Sequence, residues 1–454
     1  MRKKSLLSIV MLFVSFSTFA GGLLTNTNQH PAFLRMLSRG ATTDIDAALS
    51  NPAGLAFLPK DGFYATLSVQ NAFQTRNIDA TSPLWTMDGN NTSRYYEGEA
   101  SAPVIPSVFV AWKKGDWTLS SFFAITGGGG KASFDQGLPM FDALTNTGIG
   151  AVAGLTPDKF EVNSAMDGKQ YIYALQMGIT YKVNDWLSAF AGGRMNYYTG
   201  GYEGFLNAKT IPTLGGKSLV NMALDCEQSG WGLTPVIGAD VKLGKLTIGA
   251  KYEFMTNLNL ENKTDKAEFG MNVDPATLTP EQLAALGQVA TVAEGALEAY
   301  KDGNKNPSDI PAMLSIAVAY EFIPVLRASV EYHFYDDKNA NMADNKQDYL
   351  TKGTNEWLAG IEWDATKYLT LSCGGQITDY GLSDEFQSNT SFSCDSYSLG
   401  FGAKIRVTER AEVNVGYMWT NYEDYTVNQD ALIQGKTVYS RTNKVFGLSL
   451  GYRF

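Results

Sequence analysis

Phe446-Gly447-Leu448-Ser449-Leu450-Gly451-Tyr452-Arg453-Phe454 closes the chain, and its apolar residues recur with a period of two. Phe446, Leu448, Leu450, Tyr452 and Phe454 share one face; Gly447, Ser449, Gly451 and Arg453 share the other. Successive side chains take opposite faces only in an extended strand, so this is a strand with one oily and one polar side. The pattern recurs upstream. Tyr397, Leu399, Phe401, Ala403, Ile405 and Val407 oppose Ser398, Gly400, Gly402, Lys404 and Arg406, and Leu246, Ile248, Ala250, Tyr252 and Phe254 oppose Thr247, Gly249, Lys251 and Glu253. A soluble sandwich would turn such apolar faces to a core. Here the polar faces are rich in glycine and the apolar faces end in Tyr and Trp, which suits a strand with lipid on one side and aromatic girdles at the membrane boundaries.

Working outward, strands are predicted near residues 62–72, 104–113, 117–126, 171–183, 186–199, 231–243 and 246–257. A second set follows near 311–322, 325–335, 355–363, 368–379, 394–407, 410–421 and 441–454. Short joins such as Lys114-Gly115-Asp116, Asn184-Asp185 and Gly244-Lys245 use tight-turn residues. They alternate with long joins near 73–103, 127–170, 200–230, 258–310, 336–354, 380–393 and 422–440. Short periplasmic turns and long external loops are the habit of outer-membrane barrels, so an even strand count leaves both termini in the periplasm. The expected fold class is all-β: a transmembrane antiparallel β-barrel of about fourteen strands with a small N-terminal helical plug in the lumen.

Composition agrees. No run of about eighteen apolar residues follows the N-terminal segment, which excludes a helical membrane protein. Aromatics reach 12% while charged residues are only 18%, and mean hydropathy is −0.15. Those values fit a wall that is apolar outside and polar inside. The net charge of −10 argues against nucleic acid as a partner. Two histidines, His30 and His333, leave no histidine-rich metal site, and no nucleotide fingerprint is present. His333 has no serine partner for a lipase arrangement, and in Asp337-Lys338-Asn339-Ala340-Asn341 a Met342 stands where a calcium loop needs glycine. No catalytic residue, cofactor or metal is expected. Cys226, Cys373 and Cys394 cannot all pair with one another. They read as free thiols or one incidental bridge.

Residues 1–20 read as a signal peptide: Arg2, Lys3 and Lys4, an apolar run from Leu6 to Phe16, then Thr18-Phe19-Ala20 before the cut. Residues 21–60 do not alternate and form the expected plug; residues 61–454 form the barrel. Pro31 to Leu37 reads as a short helix, closed by Gly40. Thr43 is the expected cap of a second helix, with Asp46 three residues later. Asn51-Pro52-Ala53-Gly54 ends it, because the residue before proline avoids helical geometry.

These features together resemble the FadL-type outer-membrane transporters of long-chain fatty acids and other hydrophobic compounds. The resemblance rests on Asn51-Pro52-Ala53-Gly54 ahead of the first strand, Tyr181-Lys182-Val183-Asn184-Asp185-Trp186-Leu187-Ser188 at a periplasmic turn, and Pro311-Ala312-Met313-Leu314-Ser315 after the longest loop. It implies a monomeric passive uptake channel in the outer membrane of a Gram-negative bacterium. In such a channel the ligand lands in an apolar groove between the third and fourth external loops. It then moves to a lumen site and leaves sideways through a gap near a kinked third strand. Candidate binding residues are Phe33 and Leu34 in the plug, Leu206 and Leu214 in the third loop, and Leu283, Leu286, Val289 and Leu297 in the fourth. Those four belong to the apolar stripe of a helix that Thr279-Pro280 begins. Candidate gating residues are Asn51, Pro52, Ala53 and Gly54, with Gly127 and Gly128 allowing a backbone irregularity. Expected partners are the hydrophobic ligand, membrane lipid and, through the terminal Phe454, the barrel assembly machinery. Inward Arg194, Lys251, Arg327 and Lys404 either meet a carboxylate on the ligand or pair with Glu253, Glu331 and Glu362. Two competing readings are an open pore for polar solutes and a sealed barrel that binds at the surface.

Overall fold

The C-terminal alternation survives intact in the computed structural model, which describes residues 24–86 and 89–454. The signal peptide expected at residues 1–20 lies outside the described residues. Phe446, Leu448, Leu450, Tyr452 and Phe454 all project outward and exposed, while Gly447, Ser449 and Gly451 are buried on the lumen side. Eighteen strands join one sheet. In chain order they are β1 (Gly62–Ser82), β2 (Thr92–Tyr96), β3 (Glu99–Lys114), β4 (Trp117–Phe134), β5 (Phe160–Lys182) and β6 (Leu187–Thr210). Next are β7 (Ser218–Leu243), β8 (Leu246–Glu253), β9 (Asn259–Met271), β10 (Lys305–Pro307), β11 (Met313–Ile323) and β12 (Leu326–Tyr335). The last six are β13 (Thr354–Asp364), β14 (Leu369–Asp379), β15 (Ser396–Arg406), β16 (Ala411–Tyr422), β17 (Tyr425–Asp430) and β18 (Gly435–Arg453). Fourteen of them close an antiparallel barrel, with β18 paired to β1 from Tyr64↔Arg453 to Thr81↔Lys436. The further strands β2, β9, β10 and β17 extend it above the membrane.

The exposed apolar band is the membrane-facing surface. Its aromatic edges stack, with Trp117 on Tyr181 at 4.5 Å near the short turns and Tyr197 on Trp231 at 4.3 Å on the far side. About ten residues of tilted strand separate these edges, enough for a hydrocarbon layer of roughly 25 Å.

The predicted strands are right through the membrane and too short beyond it. β5, β6 and β7 run 23, 24 and 26 residues, against the roughly ten that a crossing needs. Much of the segments read as loops 127–170 and 200–230 is therefore paired strand. Above the lipid the outer face is polar as well, so alternation of hydropathy no longer marks a strand. Two long helices cap the barrel outside: α3 (Pro139–Ala153) and α4 (Pro280–Glu298). Thr279 opens α4 as expected, through a reciprocal cap with Gln282.

Inside lies the hatch, with helices α1 (Pro31–Met36) and α2 (Ala47–Ser50) and a tight 3-10 turn over Pro52–Phe57. Thr43 does not cap α2; Asp46 takes the N-cap position. Its carboxylate instead receives Arg39, Nε at 2.7 Å and Nη2 at 2.9 Å. The glycines of the polar strand faces now have a reason. A Cβ on Gly416 would lie 2.7 Å from Leu34 Cβ and from Pro31 O. Only a bare backbone lets α1 lie flat on β16 and its neighbours.

Candidate functional site

Two regions of the lumen differ in chemistry. In the lower one, wall side chains hold the hatch by its backbone. Asn51 donates to Ala239 O at 3.2 Å, Thr180 to Pro52 O and Ser188 to Ala53 O, both at 2.8 Å. A Cβ on Gly54 would run into Thr42 O. The Asn51-Pro52-Ala53-Gly54 motif thus anchors the hatch against β5, β6 and β7. The inward charges expected from sequence are paired. Arg194 and Lys251 meet Glu253, and Arg327 meets Glu362 at 2.7 Å. Lys404 reaches Asp44 of the hatch at 2.8 Å. Arg35 also binds Glu362, and Glu331 accepts the Arg39 and Gly40 amides at 2.7 and 2.8 Å. His333 bridges Glu331 and Glu356. His30 caps α1, its Nδ1 accepting from Ala32 N at 3.1 Å. Burial pushes its pKa down to about 4, against the pull of Asp46.

Above the hatch two arginines lack such partners. Arg76 on β1 and Arg441 on β18 stand directly opposite each other in the strand register, an arrangement that repels unless an anion joins it. Among the described residues neither is ion-paired with a carboxylate. Each instead donates to Phe392 O, at 3.3 and 3.5 Å, and lies over an aromatic ring, Arg76 on Phe392 and Arg441 on Tyr422. Arg441 Nε is buried with no protein partner. Nearby in an external loop, burial and then the field of Arg76 push the Lys346 amine down to about 7. Both arginines line a cavity of about 190 Å³. Its other walls include Phe134, Leu138, Ile105 and Tyr202, and its floor is the segment Thr25–Thr27.

That cavity reaches a break in the wall. The ladder between β3 and β4 stops at Ser101↔Lys131 and resumes only at Ser107↔Ala124. At the same level β4 slips twice against β5, around Gly127 and Gly128. Gly128 holds a φ of 70°, where a Cβ would also strike Gln170 O. Pro103 and Pro106 stand on the facing stretch of β3 and have no N–H to offer a ladder. Ala102, Ile105, Gly128 and Gly130 line both the break and the cavity.

A second, smaller apolar pocket of about 20 Å³ lies between the upper barrel wall and the lid helices. Phe141, Leu206, Leu224, Ala296, Leu297 and Tyr300 line it. Of the residues expected to bind ligand, Leu206 and Leu297 meet here. Val289 is buried between α3 and α4 and Leu286 is partly so. Leu283 and Leu214 are 49% and 45% exposed and line neither pocket. Phe33 and Leu34 pack in the hatch. Sequence reasoning missed Arg76 and Arg441, because they lie in stretches read as a loop and as one strand among many. The three cysteines are free.

Fourteen closed strands, an internal hatch and a broken third crossing can now be compared with known proteins. The structure superposes on a Pseudomonas aeruginosa FadL homologue with a TM-score of 0.65, covering 96% of this chain and 100% of that one. The fold is that of a FadL-type outer-membrane barrel. Identity to that neighbour is only 15%. The Pseudomonas putida toluene transporter TodX matches the same fold at 13% identity and a TM-score of 0.57, over 95% of this chain and 100% of that chain. The Ralstonia pickettii toluene transporter TbuX gives 13% and 0.56, over 94% and 98%. A family model described as an outer membrane protein beta-barrel domain matches residues 281–454. No curated protein matches the chain. The match to an outer membrane protein beta-barrel domain, with the apolar exterior band, places the chain in the outer membrane.

Proposed function

We propose that this barrel is a passive channel for hydrophobic molecules that carry an acidic head, the long-chain fatty acids among them. The opposed pair Arg76 and Arg441 carries the reading. Two guanidinium groups face one cavity without a carboxylate between them, amid Phe134, Leu138 and Ile105. A ligand carboxylate would accept charge-assisted hydrogen bonds from both while its tail lies on the apolar wall. The toluene transporters TodX and TbuX, which share this fold, support the reading as a channel. The break between β3 and β4 then gives the tail a route into the lipid, and the hatch keeps the lower lumen shut. A porin for polar solutes fits less well, because the hatch is bonded to the wall on several sides.

The test is binding of dodecanoate to the purified barrel in mild detergent. Arg76→Gln with Arg441→Gln should weaken dodecanoate binding about a hundredfold, roughly 1.4 kcal/mol per arginine. Toluene, which has no acid, should bind the double variant as it binds the parent. Equal dodecanoate affinity in both proteins would refute the carboxylate role.

A further inference from the structure

The outer apolar pocket and the lumen cavity share one side chain, that of Met166. It projects inward from β5, with Phe134 as its cross-strand partner on β4 and Gly204 on β6. A Cβ at Gly204 would lie 2.6 Å from Met166 Sδ, so the glycine clears the space that this side chain occupies. Tyr202 stands beside it on the lumen side. Its ring meets Tyr300, just past α4, edge-on at 5.7 Å, and its hydroxyl accepts from Gln170 Nε2 at 3.1 Å.

The geometry points to Met166, backed by Tyr202, as an internal gate that separates capture at the lid from the lumen site. This rests on the uptake reading above. At about 20 Å³ the outer pocket holds little more than one methyl-sized group, so no more than the tip of an acyl chain fits there while Met166 stays in place. Its way into the larger cavity is filled by the Met166 side chain. Methionine suits a moving partition: it is unbranched, has three rotatable bonds, and its thioether rests against aromatic and aliphatic neighbours alike. A branched or aromatic residue at this site would be a fixed wall. The gate sets rate, not affinity, since a swinging side chain alters entry and exit together.

The experiment measures initial uptake of a fluorescent dodecanoic acid by proteoliposomes that hold the mature barrel with its hatch. Met166→Ala should raise the rate about threefold, and Met166→Trp should lower it at least tenfold. Association and dissociation rates should move together, keeping Kd within about threefold of the parent. Rates unchanged in both variants would overturn the gate. A Kd that shifts as far as the rate would make Met166 a simple binding residue and overturn it equally. If Met166→Trp fails to show heat-modifiable gel mobility, Met166→Ala decides alone. Arg76→Gln with Arg441→Gln is the parallel control. If that pair slows uptake while the Met166 variants do not, only the gate fails; if all leave uptake unchanged, the channel reading itself fails.

Discussion

The lower and upper halves of the lumen contain the same kinds of residue and use them oppositely. Below, Arg35, Arg39, Arg194, Arg327, Lys251 and Lys404 each meet a carboxylate, and Glu331 accepts two hatch amides besides. Above, Arg76 and Arg441 face each other and share only a carbonyl and two rings. Removing charge from water is costly unless a partner and hydrogen bonds compensate. Satisfied charges therefore read as a seal, and unsatisfied ones as a place kept for something else.

The contrast can be broken most strongly from below. Glu362→Leu would strand Arg35, which pairs with no other carboxylate among the described residues, and leave Arg39 to Asp46 and Arg327 to Asp364, at a cost of about 3–5 kcal/mol. The hatch should loosen, with raised ion conductance in planar bilayers and faster protease cleavage near residues 35–45, while the barrel keeps its mobility on gels. Unaltered conductance would mean that the hatch is held by its backbone contacts alone.

A smaller effect should follow from pH. The His30 ring is held neutral by burial, with a folded pKa of about 4 against 6.5 when exposed. Its contribution is complete above pH 6.5 and is lost as pH falls from there toward 4, up to about 3 kcal/mol. The protection of the α1 amides, corrected for the pH dependence of intrinsic exchange, should fall over that window and stay constant in His30→Asn, which keeps an acceptor at the cap. The smallest effect should come from the lid. Leu283→Ser lies on the exposed side of α4 and should change neither stability nor uptake, within about 0.5 kcal/mol. Leu297→Ser empties one wall of the apolar pocket and should slow uptake severalfold. Comparable losses in the two variants would show that the lid acts as one surface and that α4's two faces do not differ in role.

How much was legible beforehand varies by element. The membrane crossings could be read because lipid on one side and a polar lumen on the other impose alternation residue by residue, as in Phe446 to Phe454. The capped helix at Thr279 was equally local. The hatch motif at Asn51 was recognisable, but its bonding to Ala239, Thr180 and Ser188 was not, since those partners lie far off in the chain. The long external strands were missed because above the lipid neither face is reliably apolar.

Sequence alone therefore determined that the chain is a barrel, where it crosses the membrane and which residues face lipid, since each of those is set by the solvent beside a given residue. Only the tertiary structure decided that Arg76 would stand opposite Arg441, that β3 and β4 would part beside Gly128, and that Met166 would divide two cavities. The first is a meeting of the chain's two ends brought about by closing the sheet, and the third depends on lid packing that no local pattern records; the glycines alone hinted at the break.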